Sequence, residues 1–158
     1  MNLTQKERML LEDQKSHEQV CIKQYQDYAN RAKDPKLKQL FNTYSTQEQQ
    51  HLDTINQLLN GQIPQMQNEQ GQQQTEQSGQ PSNIQNSQGT QNYDQEDAIL
   101  CEHMLMTEKY VSSGYNTTIF EFRDPNIRQV LNHIQKEEQE HGQGIFDYMQ
   151  QHGMYNPK

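Results

Sequence analysis

The sequence predicts an all-α protein, a four-helix bundle assembled from two repeated helical hairpins joined by a long crossover. Three observations lead there. Residues 4–60 slide onto 94–150 without a gap and align thirteen identities, from Gln5 on Gln95 to Ile55 on Ile145. Helix-start and helix-stop residues bracket four segments of the chain. Within each segment, apolar residues recur in steps of three and four, the spacing of one helix face.

The first helix is expected over about 4–32, opening on the capping box Thr4-Gln-Lys-Glu7. Asp94 and Asp97 stand at the matching place ninety residues on and open a third helix over about 94–122. Asp34-Pro35 and Asp124-Pro125 each join a capping carboxylate to a proline at the first helical position, where its missing N–H costs nothing. They start the second and fourth helices, over about 36–60 and 126–151. Asn60-Gly61 and His152-Gly153 suit the stops. The tract 61–92 differs in kind, since twelve of its thirty-two residues are Gln and few are apolar. It cannot build a core. Extended, it reaches about 100 Å against the roughly 40 Å of a 27-residue helix, so it can strap the bundle lengthwise. Its plainest reading is a passive linker, with polar aggregation or cross-linking as alternatives. A duplicated hairpin is the simplest source of the repeat.

One domain, 1–158, is expected from the length. The net charge of −8 and pI near 5.1 disfavour nucleic acid and anionic membrane surfaces and suit cations. Mean hydropathy is −1.24, with no apolar run long enough for membrane insertion. The first residues, MNLTQKERMLLEDQ, carry no apolar leader core, so folding in a cytosol is expected. Cys21 and Cys101 are isolated and are expected to remain thiols.

The chemistry lies in what interrupts the apolar seams. The first helix buries Leu11, Gln14, Glu18, Cys21 or Ile22, Tyr25, Ala29 and Ala32. The third runs through Cys101, Met104 or Leu105, Glu108, Val111, Tyr115, Ile119 and Phe122. In the second and fourth, Glu48 with His51 and Glu138 with His141 displace apolar residues from the buried stripe. Each half therefore carries a Glu and, thirty positions later, a Glu-x-x-His. The i, i+3 spacing puts Glu and His on one face. Four buried carboxylates would raise one another's pKa and be costly alone. Two divalent ions balance four carboxylates, with a neutral nitrogen from each His, which is the ligand pattern of a dinuclear site in a helical bundle. The expected ligands are Glu18, Glu48, His51, Glu108, Glu138 and His141, and the expected cofactor is two iron or manganese ions, favoured by hard carboxylate ligands. A polar core layer that no longer holds metal is the alternative.

Tyr25 and Tyr115 lie one heptad beyond Glu18 and Glu108, placed for packing, for hydrogen-bonding a ligand or for carrying an oxidising equivalent. Glu137, where the first half has Gln47, is open to three roles: a further ligand, a group behind one, or a solvated side chain. Glu12, Glu102, His17, His103, His133 and His152 are expected at the surface. Gly142 and Gly144 weaken the fourth helix and suit close packing or access.

Outside the strap, these features resemble the ferritin-like superfamily. In the second half the stretches TEKYVSSGYNT (107–117), QVLNHIQKEEQEH (129–141) and YMQQHGMY (148–155) resemble the spore coat F family more closely still. That resemblance implies synthesis in the mother cell and a place in or near the spore coat, with no established reaction; other spore coat proteins are the expected partners, and the oligomeric state is open. Ferritin-like relatives imply iron or manganese at the six residues named and reactions with oxygen or peroxide. The chain departs from rubrerythrin in lacking a Cys-rich iron domain and from storage ferritins in lacking cage signals, so neither electron relay nor bulk storage is expected. The leading expectation is a spore-coat-associated protein with a dinuclear site. The alternatives are a structural coat assembly protein with an empty site, and a manganese-catalase-like or oxidase enzyme.

Overall fold

The computed structural model of the chain describes residues 2–64 and 93–155. They form four helices and, among the described residues, no strand: α1 (Gln5–Arg31), α2 (Pro35–Leu59), α3 (Gln95–Glu121) and α4 (Pro125–Gln151). The strap expected over 61–92 lies, from residue 65 on, outside the described residues.

The ends are set by local chemistry. Thr4 Oγ1 accepts from Glu7 N at 3.1 Å while the Glu7 carboxylate accepts from Thr4 N at 2.7 Å, which closes the capping box. Asp34 and Asp124 cap α2 and α4 ahead of Pro35 and Pro125. Gly61 and Gly153, at φ 80° and 72°, turn the chain out of α2 and α4 through the left-handed region that glycine enters without strain.

α3 departs from the expected box. Asp94 alone caps it, accepting from Glu96 N and Asp97 N. The Asp97 side chain turns away and accepts from Lys33 N at 2.8 Å and Asp34 N at 2.9 Å, in the corner between α1 and α2. Glu7, ninety positions earlier, does the same for the opposite corner, taking Arg123 N and Nε at 3.2 Å each. Both carboxylates are almost fully buried. The start of each odd-numbered helix thus ties down the far corner of the other helical pair.

These ties place the end of α1 beside the start of α3, and the reverse, so the two helices run antiparallel. α1 also packs on α2, α3 on α4, and α2 on α4. Tyr148 Oη, near the end of α4, donates to Asp34 Oδ2 at 2.7 Å at the start of α2. The core falls into two apolar clusters. One gathers Leu11, Leu58, Tyr115, Ile127 and Leu131, and the other Tyr25, Phe41, Met104, Ile145 and Met149. The mid-helix residues Glu18, Glu48, His51, Glu108, Glu138 and His141 are buried as well.

Candidate metal centre

All four glutamates and both histidines converge. Each of the six is 3% exposed or less. Two overlapping groups have ligand atoms within 4.8 Å of one another: Glu18, Glu48, His51 and Glu138, then Glu48, Glu108, Glu138 and His141. Glu48 and Glu138 are common to both, whereas Glu18 and Glu108 each belong to one. The carboxylates three residues before the histidines are therefore shared by the two groups, and those of α1 and α3 belong to one group each.

The histidines point their Nδ1 atoms inward. His51 Nδ1 lies 3.1 Å from Glu48 Oε2 and 3.2 Å from Glu138 Oε1, and His141 Nδ1 lies 3.1 Å from Glu48 Oε1 and 3.5 Å from Glu138 Oε2. Their Nε2 atoms are held from outside: His51 donates to Glu137 Oε2 at 2.9 Å and His141 to Gln47 Oε1 at 2.8 Å. This fixes which nitrogen faces the carboxylates. Gln47 carried no expectation of its own; the available signal was its place in the repeat opposite Glu137. The rings lie 5.7 Å apart, and Tyr44 stacks on His141 at 4.3 Å. That stacking depends on Gly144, since a Cβ there would fall 1.8 Å from Tyr44 Oη.

Tyr25 and Tyr115 reach across between the helical pairs. Tyr25 Oη donates to Glu108 Oε1 and Tyr115 Oη to Glu18 Oε1, so the tyrosine of each odd helix holds the carboxylate of the other. Burial and the surrounding carboxylates push both phenols far above their usual range, leaving them as hydrogen-bond donors.

Burial pushes the Glu18 and Glu108 carboxyls well above the usual range; the neighbouring imidazoles, His51 and His141 respectively, work against this, and Glu138 and Glu48 add to it. Burial also acts on Glu138, but His141 and His51 outweigh it and hold that carboxyl far below its ordinary value. Burial opposes charge on the imidazoles too, yet Glu108, Glu138 and Glu48 hold His141 up to about 11, and His51 is raised further by Glu137, Glu138, Glu18 and Glu48. Even so, Glu18 Oε2, Glu108 Oε2 and both oxygens of Glu138 accept no hydrogen bond among the described residues, although all are buried. An unmet buried acceptor costs about 1–3 kcal/mol, and more when charged. Four of them facing two inward nitrogens are compatible with a metal site.

Outside this cluster, Cys21 and Cys101 are buried free thiols, pushed up by burial, Cys101 to about 12. Glu12, Glu102, His103 and His133 are exposed, as expected. His17 and His152 are not. His152 is half-buried, stacked on Tyr148 at 4.0 Å with Nδ1 on Tyr148 O at 2.8 Å, because α4 ends there against the α1–α2 corner. His17 is half-buried beside Tyr110, ring to ring at 5.3 Å.

Half of the cluster and the close stretches of the second half lie within one segment of the chain. Residues 96–158 match the Coat F domain. The Coat F segment takes in nearly all of α3 and the whole of α4, with Glu108, Glu137, Glu138 and His141. No curated relative and no solved structure matches the chain. No helix among the described residues is long and apolar enough to cross a membrane.

Proposed function

We propose that the protein is a spore-coat-associated, ferritin-like bundle whose six buried ligands hold two iron or manganese ions and act on peroxide or oxygen. One observation carries the metal reading: four buried carboxylate oxygens lack hydrogen-bond donors, in a cluster where two histidines turn their Nδ1 atoms inward. Two divalent ions balance four carboxylates, and hard oxygen ligands with imidazole nitrogen suit iron or manganese. The Coat F match over residues 96–158 supports the place in the coat.

Glu48 and Glu138 would bridge, Glu18 with His51 would complete one seat, and Glu108 with His141 the other. Bound there, iron or manganese would supply a couple between the two- and three-valent states. The protein's part is orientation and burial. Tyr115 and Tyr25 fix the carboxylates of Glu18 and Glu108, Glu137 and Gln47 fix the two imidazoles, and two apolar clusters make up the rest of the core.

A second reading, a structural coat component whose cluster is held by protons alone, draws on His141 being held up to about 11, since imidazolium would also neutralise carboxylates. Elemental analysis of protein purified without added metal separates the two. About two iron or manganese ions per chain are expected, and Glu48→Gln with Glu138→Gln should remove most of them. Metal-free protein, or a double variant that keeps its full metal content, would move the structural reading to first place.

A further inference from the structure

The two sides of the bundle differ where the ninety-residue register sets Ser112 against Ile22 and Gly142 against Leu52. Ile22 on α1 and Leu52 on α2 are buried to 9% exposure, each four residues after Glu18 and Glu48 respectively. Between α3 and α4 the smaller residues leave a cleft of about 620 Å³, lined among others by Leu105, Ser112, Gly142 and Phe146, with Glu108 and Glu138 in its wall. Gly142 is not required by packing. A Cβ there would meet nothing nearer than Glu108 Cβ at 4.0 Å, in contrast to Gly144, whose absent Cβ makes room for Tyr44. Glycine inside a helix costs about 0.5–1 kcal/mol relative to alanine, and here it lines the cleft beside Glu108, a residue of the cluster.

We propose that this cleft is an access route by which a small uncharged oxidant, dioxygen or hydrogen peroxide, reaches the centre. The inference rests on the metal reading above. The class of molecule follows from the throat and its charge. Glu108 keeps 3% exposure and Glu138 none, so the floor of the cleft offers no room to a large molecule. Leu105 and Phe146 make part of the wall apolar, which suits an uncharged molecule; besides the two buried glutamates, Lys109 is the one charged side chain in the lining. Tyr155 packs edge-on against Phe146 at 5.0 Å and forms the outer lip.

Transplanting the closed side onto the open one tests this: Ser112→Ile with Gly142→Leu gives α3 and α4 the pair that α1 and α2 already accommodate. Wild type and variant are loaded with ferrous iron without oxygen, their iron content is measured, and nitric oxide is added as a neutral diatomic probe, its arrival at iron followed by rapid mixing and electron paramagnetic resonance. Iron content should be equal and arrival slower by about tenfold or more in the variant. Equal rates at equal iron content overturn the access route alone. Wild-type protein that binds no iron overturns the metal reading and the route with it. Gly142→Ala, which adds one carbon and favours the helix, guards against a double variant that fails to fold or load; it should slow the probe less than the double variant but measurably, and an unchanged rate counts against the cleft.

Discussion

Replacing Glu7 by Gln tests the tie that sets one helical pair against the other and so positions the six proposed ligands. The Glu7 carboxylate is 3% exposed and is met by Thr4 N, Thr4 Oγ1, Arg123 N and the Arg123 guanidinium. Burial works against its charge, but Arg123 and these backbone donors outweigh it and hold the carboxyl at about 2 instead of 4.5. At 1.36 kcal/mol per unit this is about 3 kcal/mol of stability at neutral pH. Because the Arg123 side chain is largely exposed and screened, about 2–3 kcal/mol is the working figure. The folded value lies below the unfolded one, so the contribution is complete above about 4.5 and lost as the pH falls through about 2. Urea titrations of wild type and Glu7→Gln, monitored by helical circular dichroism from neutral pH down to the acid limit of the folded state, should therefore give a gap of about 2–3 kcal/mol that narrows below 4.5. A gap under about 0.5 kcal/mol, within the ordinary range of surface substitutions, or one that does not change with pH, would refute the reasoning.

Other substitutions probe the neighbouring devices. Asp97→Ala should loosen the α1–α2 corner by about 1–3 kcal/mol, because two backbone N–H groups lose their acceptor; an unchanged denaturation midpoint would speak against the tie. Gly144→Ala drives a carbon into Tyr44 Oη and should cost about 1–3 kcal/mol in thermal unfolding despite alanine's better helix propensity; a gain in stability would show that the Tyr44 stacking on His141 is dispensable. Glu137→Gln should weaken one of two metal seats by about 10–100-fold in an oxygen-free calorimetric titration, since the carboxylate behind His51 becomes an amide like Gln47 behind His141. Two seats of unchanged affinity would separate Glu137 from the site.

The helices and their boundaries were legible because caps, prolines and seams act within a few residues of where they are written. Thr4, Asp34, Asp124, Gly61 and Gly153 need no tertiary information to end a helix. Glu18, Glu48, His51, Glu108, Glu138 and His141 could be marked as buried from helical spacing alone. Their division into shared and unshared carboxylates could not, since it depends on how far one helical pair is shifted along the other. The same shift decides that Tyr25 meets Glu108 rather than Glu18, and that Asp97 leaves its own helix start for the backbone of Lys33 and Asp34. Gly142 and Gly144 look alike in sequence. Only the position of Tyr44 against one and the open cleft beside the other tells them apart. His152 was assigned to the surface because nothing local shows that α4 ends against the α1–α2 corner.

The most direct test is a crystal of the protein purified without added metal, with anomalous diffraction recorded on both sides of the iron and manganese absorption edges. Two anomalous peaks are expected, one among Glu18, Glu48, His51 and Glu138 and the other among Glu48, Glu108, Glu138 and His141, both vanishing below the edge of one of these metals. Ordered electron density for all six side chains with no anomalous peak between them, or with a peak only at the zinc edge, would contradict the account.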